Sequence, residues 1–184
     1  MLSGKPEVLA ACLEQFEKAD NMTERLTALA VLVNSPFEKE KVAALESFAD
    51  YFKDNPLVMD QWFSVQAASA LPGALQRVEQ LMQHPAFTLK NPNKVRALIG
   101  AFAGQNFVGF HAADGAGYRF LADQVITLNA LNPQIASRLL APLTRWRKYN
   151  GERQALMKAQ LQRILDSGDL SSDVFEVVSK SLAG

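Results

Sequence analysis

The chain reads as an all-α protein, and three observations carry that reading. Apolar residues recur in steps of three and four almost from end to end, which sets each group on one face of a helix. Alternation with a period of two is nowhere sustained for a strand's length. Proline follows asparagine or serine at Asn55-Pro56, Asn91-Pro92, Asn132-Pro133 and Ser35-Pro36, which pairs an N-cap residue with one suited to a first helical turn.

Taken in order, Cys12 falls in an Ala-Ala-Cys-Leu helical run and reads as a buried small hydrophobe. Leu26, Leu29, Ala30 and Val33 form the next stripe, then Val42, Leu45, Ala49 and Phe52. Val58-Met59, Trp62-Phe63 and Gln66-Ala67 follow behind Asn55-Pro56, and Leu75, Val78 and Leu81-Met82 behind them. Val95, Leu98-Ile99 and Phe102 continue from Asn91-Pro92. Tyr118, Leu121, Val125 and Leu128 follow the tight Asp114-Gly115-Ala116-Gly117 turn, which caps that helix. Ile135, Leu139 and Leu143 start from Asn132-Pro133, and Pro142 should kink or end that helix early. Met157, Leu161 and Ile164-Leu165 precede a last helix begun by Ser171 or Ser172, with Asp173 and Glu176 in its first turn. Stops are expected at Gly73, His84-Pro85, Gly104, Gly109 and Gly168. The sum is roughly ten helices in antiparallel pairs, joined by short loops. Such pairs make a bundle or an α-solenoid, and no fixed-period repeat decides between them. No linker divides the chain, so residues 1–184 are expected to form a single helical domain.

Composition narrows the function classes. The 184 residues are 48% hydrophobic and 21% charged, with one cysteine. This is a globular chain without an internal disulfide framework. No apolar run approaches the roughly 20 residues of a membrane-spanning helix, and the N-terminus lacks the layout of a signal peptide. The formal net charge of zero conceals a pattern. Residues 1–60 carry 6 basic and 11 acidic side chains, a net of −5; residues 61–165 carry 12 and 4, a net of +8; residues 166–184 carry 1 and 4, a net of −3. Acidic ends can neutralise a basic middle within one fold, or the middle can meet an anionic partner.

Catalytic chemistry is thinly represented. His84 and His111 are too far apart for the H-E-x-x-H zinc motif, which needs two histidines one turn apart. The Asp114–Gly117 turn lacks the lysine and hydroxyl of a phosphate loop and the spaced oxygens of a calcium loop. No residue stands out as catalytic or metal-ligating. Arg145-Trp146-Arg147-Lys148-Tyr149 interleaves cations with aromatics. That run reads either as a phosphate- and base-binding patch or as a helix C-terminus with Trp146 packed inward. Arg96 and Arg138 each lie near the start of a helix, where a cation gains nothing from the dipole. Snorkelling from an apolar face explains them, and so does a surface that collects anionic groups.

Longer strings add a resemblance. Phe87-Thr88, Asn91-Pro92-Asn93-Lys94-Val95-Arg96-Ala97-Leu98-Ile99-Gly100-Ala101-Phe102, Phe110-His111-Ala112 and Asp114-Gly115-x-Gly117-Tyr118-x-Phe120-Leu121 resemble the C-terminal domain of bacterial aminopeptidase N. So do Asn132-Pro133-Gln134-x-Ala136-Ser137-Arg138-Leu139 and Arg147-Lys148-Tyr149. The likeness is strongest over 58–149, weaker to Leu182, and in the first fifty residues rests mainly on helical character and Asp20-Asn21-Met22-Thr23.

The resemblance implies an armadillo- or HEAT-like superhelical array that packs over the catalytic domain of a cytoplasmic zinc metallo-aminopeptidase and encloses its cavity. That catalytic domain, with its single zinc ion, its H-E-x-x-H motif and its amine-recognising glutamates, has no counterpart in these 184 residues. The chain is therefore expected to correspond to the end of a polypeptide several times longer, with Met1 an added residue, and to be inactive by itself. Its implied partners are the catalytic domain of the same polypeptide and peptide substrates, with no nucleic acid and no membrane span. By the same resemblance Arg96, Gln134 and Arg138 face the cavity and bind the backbone carbonyls or C-terminal carboxylate of a peptide. The competing expectation is a self-standing helical scaffold that binds a peptide or nucleic acid through a basic face.

Overall fold

The computed structural model describes residues 4–183, so the expectation about Met1 lies outside the described residues. Among them the regular structure is helical throughout, without a strand. Helix α1 (Pro6–Lys18) packs on α2 (Met22–Val33), and α2 packs on both α3 (Glu38–Phe52) and α4 (Pro56–Ala67). Helix α5 (Ala74–Leu81) follows against α4. A composite run comes next: α6 (Pro92–Val95), a π-helical turn (Arg96–Gly100) and α7 (Ala101–Gln105). After the short α8 (Phe107–Phe110), α9 (Ala116–Leu131) packs on α10 (Pro133–Leu139) and, further along, on α12 (Gly151–Leu165). Between α10 and α12 lie α11 (Ala141–Thr144) and a 3₁₀ turn (Trp146–Lys148). Helix α13 (Ser172–Ala183) closes over α10 and α12. Most helices thus meet their successor and often the next but one, the layering of a helical array. No helix here is long and apolar enough to cross a membrane.

The caps follow the sequence closely. Asn55, Asn91 and Asn132 accept hydrogen bonds from the N–H groups of Val58, Asn93 and Ile135, with Pro56, Pro92 and Pro133 in the first turns. Ser171 Oγ accepts from Val174 N–H and so begins the last helix. Pro142 ends α10 early, and the chain restarts as α11.

Four expectations shift. Ser35-Pro36 precedes its helix by a turn: Ser35 is buried, its hydroxyl accepts from Phe37 N–H, and α3 starts at Glu38. Gly73 starts α5 rather than stopping α4, because its φ of +76° lies in the left-handed region that glycine alone enters freely. Gly104 lies within α7, whose end is set by Asn106 two residues later. Gly109, also expected as a stop, lies inside α8, which runs on to Phe110.

Helix α4 positions the composite run 92–105. Near its start, the Lys94 ammonium sits 2.8 Å from Asp60 Oδ1 and donates to the Pro56 carbonyl at 3.2 Å. At its middle, the Ser64 hydroxyl donates to the Ala97 carbonyl at 2.9 Å, inside the π turn. Just past its end, Asn106 Nδ2 donates to the carbonyls of Ala67 and Ser69, while its Oδ1 accepts from Gly109 N–H. The π turn itself is closed by Ala101 N–H on the Arg96 carbonyl, five residues back. A hydroxyl inserted into a helical ladder is one of the ordinary causes of such a distortion.

Candidate functional site

The composite run and α10–α11 are the two walls of a cleft of about 470 Å³. That volume lies inside the range of about 300–1,000 Å³ common to small-molecule sites. Arg96, Gly100 and Gly104, four residues apart, line the first wall together with Ala103. Ile135, Arg138, Leu139, Pro142 and Arg145 line the second. A Cβ on Gly100 would lie 3.8 Å from Leu139 Cδ2, so a small residue there lets the walls approach closely. Phe107, His111 and Tyr149 complete the lining.

Three guanidiniums therefore share one cleft, and among the described residues no carboxylate lines it. Arg96 donates through Nε to the Pro92 carbonyl of its own helix at 3.2 Å. Arg138 and Arg145 make no side-chain hydrogen bond or ion pair among the described residues. All three arginines are exposed. Cations without counter-charge beside an apolar floor suit an anionic group with apolar substituents.

His111 organises the aromatic part of the lining. Its Nδ1 is 2.8 Å from the Tyr118 hydroxyl and its Nε2 is 2.9 Å from the Tyr149 hydroxyl. The imidazole stacks on Tyr149 with centroids 4.4 Å apart, and Arg153 Nε donates to the His111 carbonyl at 3.2 Å. A neutral ring can donate at one nitrogen and accept at the other, so two hydroxyls satisfy it. Burial, and then the charge of Arg153, hold the His111 pKa below its usual value. Burial pushes the Tyr118 phenol up, so it stays protonated. Nearby turn chemistry sets the spacing. Gly115, at φ +66°, begins α9, and a Cβ on Gly117 would lie 2.4 Å from the Phe110 carbonyl oxygen, so this close approach requires glycine.

A pH dependence follows. Burial, then the charge of Lys94, lowers the pKa of His84 as well. For both histidines the unfolded chain takes up a proton near pH 6.5, above the folded value, so acid favours unfolding. Urea unfolding should show full stability at pH 7.5 and a loss by pH 5.5, and His111→Gln should flatten that loss. Equal stability at the two pH values would contradict the assignment.

Of the residues singled out in the sequence, Arg96 and Arg138 come together in the cleft. Gln134 does not join them: it is exposed on α10, one turn before Arg138, and is not part of the lining. The Arg145–Tyr149 run divides its labour. Trp146 packs against the core and donates from Nε1 to the Ser181 carbonyl, with the Arg147 guanidinium 4.0 Å from its ring centroid. The aromatic faces that could have stacked bases are thus occupied internally. Sequence reasoning missed His111, Tyr149, Phe107 and Arg145 as cleft residues. The signal for Arg145 and Tyr149 was their helical spacing from Arg138, in steps of seven and four; for His111 the Phe110-His111-Ala112 string marked the position but not its role, since its partners lie 7 and 38 residues away.

Comparison with known proteins places these features. A family model described as "Domain of unknown function (DUF3458_C) ARM repeats" matches residues 1–183. The chain is 44% identical to Aminopeptidase N of Escherichia coli (strain K12) over 170 residues, 92% of this chain and 19% of that protein. It is 46% identical to Aminopeptidase N of Caulobacter vibrioides over 186 residues, 98% of this chain and 21% of that protein. A crystal structure of Legionella pneumophila aminopeptidase A in complex with aspartic acid superposes with a TM-score of 0.90 at 39% identity, covering 96% of this chain and 21% of that one. The chain thus spans about a fifth of the length of the relatives it matches.

Proposed function

The chain belongs to the DUF3458_C family of ARM-repeat domains, homologous to the C-terminal region of bacterial aminopeptidase N, and from that premise we propose that residues 1–184 form a single helical domain walling the substrate cavity of a zinc aminopeptidase. Its role there is non-catalytic. It limits access to the active site, excludes folded proteins from the cavity and holds the far end of a peptide whose amine is at the metal. In this reading the zinc belongs to the catalytic part of the same polypeptide; among the described residues no group of three or more His, Cys, Asp or Glu side chains could hold a metal ion. The reading also places the parent enzyme in the cytoplasm.

One observation carries the proposal: Arg96 and Arg138, from two separate helices, reach the same cleft, which no carboxylate lines among the described residues. Each charge-assisted bond to a peptide carboxylate or carbonyl in a confined cavity contributes about 1.5–3 kcal/mol. Gln134, exposed on the turn before Arg138 and outside the cleft lining, belongs to the same proposal as a contact to the peptide.

The test is kinetic, in the full-length enzyme. Arg96→Ala and Arg138→Ala should each lower kcat/KM for short peptides by about tenfold or more, while leaving single-residue arylamides unchanged. Equal losses on both substrate classes would exclude a role at the far end of the peptide.

A further inference from the structure

We propose that Phe107 makes this cleft selective for peptides whose last residue carries an apolar, preferably aromatic, side chain. The inference rests on the reading of the cleft as a carboxylate site and adds the identity of the neighbouring side chain.

Phe107 is 65% exposed although it is a large apolar residue. It stands on α8, a single helical turn held by Asn106, so its backbone is fixed while its ring is open. The ring lies parallel to the His111 imidazole, with an interplanar angle of 4° and centroids 6.3 Å apart. His111 in turn stacks on Tyr149. The result is a row of three rings in which two are hydrogen-bonded to each other and only the end ring is free. His111 and Tyr149 cannot turn away without breaking their hydrogen bonds, so the row is preorganised.

Across the cleft, Ile135, Leu139 and Pro142 offer an apolar counter-wall. A ring placed between Phe107 and that wall is covered on both faces, in the offset or edge arrangements that aromatic pairs favour. The guanidiniums of Arg96, Arg138 and Arg145 supply the charge for the adjoining carboxylate and disfavour a basic side chain at the same position. The occupant that matches is therefore an apolar residue with a free carboxylate. Val108, equally exposed at 67%, is absent from the lining and serves as an internal control.

Isothermal titration of the 184-residue chain with N-acetylglycyl-L-phenylalanine, its C-terminal amide and N-acetylglycylglycine tests both layers. The free phenylalanine acid should bind about tenfold or more tightly than either analogue. Phe107→Ala should bring it to within about threefold of the glycine peptide, and Val108→Ala should change nothing. If the acid and the amide bind equally, the carboxylate reading fails. If the acid binds better than the amide but phenylalanine and glycine peptides are equal, or Phe107→Ala has no effect, that reading stands and the role of Phe107 falls. No binding by any of the three overturns both.

Discussion

Replacing Asn106 with leucine should lower the unfolding free energy by about 3–5 kcal/mol, because three backbone groups lose a side-chain partner in a buried site. Asn106 is 1% exposed. Its amide donates to the Ala67 and Ser69 carbonyls at 3.0 and 2.6 Å and accepts from Gly109 N–H at 2.8 Å. Leucine has the same branched shape and is somewhat larger, so no cavity forms and the cost is that of the orphaned groups plus some crowding. The effect should reach the cleft as well, since α8 loses the bond that sets Phe107 and His111. Urea denaturation measures the stability term, with Phe107→Ala, one residue away and exposed, expected within about 0.5 kcal/mol of the parent. A loss below about 1 kcal/mol for Asn106→Leu would mean that water or a backbone shift replaces the amide.

Lys94→Met should be similarly severe, costing about 3 kcal/mol, because it strands a largely covered carboxylate. The Lys94 and Asp60 side chains are 7% and 16% exposed, with 2.8 Å between the ammonium and Oδ1. The contact lies off the line of a good hydrogen bond, so charge carries it. Lys94 also donates to the Pro56 carbonyl and covers the Phe63 ring from 5.4 Å. Methionine preserves most of the packing while removing the charge and the donor to Pro56. Combining it with Asp60→Leu should recover all but about 1 kcal/mol, since a buried pair replaced on both sides by apolar groups is often near neutral. A double variant as unstable as Lys94→Met alone would assign the loss to packing.

What was legible in the sequence and what was not divide along the range of the forces involved. Asn55, Asn91 and Asn132 cap helices through bonds three residues long or shorter, so sequence spacing was enough to find them. Arg96 and Arg138 were conspicuous because cations near helix starts, among apolar neighbours, lack a local reason. The π turn left no trace: Val95, Leu98-Ile99 and Phe102 keep the spacing of an ordinary helix, and the hydroxyl that accompanies the distortion comes from Ser64, 33 residues earlier than Ala97. The His111 hub was equally hidden, since its two tyrosines belong to α9 and to the segment before α12. Gly73 misled for a different reason. A left-handed glycine suits either end of a helix, and only tertiary placement decides which.

The π turn also acts as a ruler. Its closing bond spans one residue more than that of an α-helix, and one residue is about 100° of azimuth. Lys94, before it, and Asn106, after it, are both fastened to α4, at opposite ends. Both fastenings can close only if the helix arrives at Asn106 with that extra rotation already taken up. The number of residues between the two clamps is thereby locked. A one-residue insertion or deletion in this wall, harmless in most surface helices, would force the chain to give up one clamp or turn Arg96 away from Arg138.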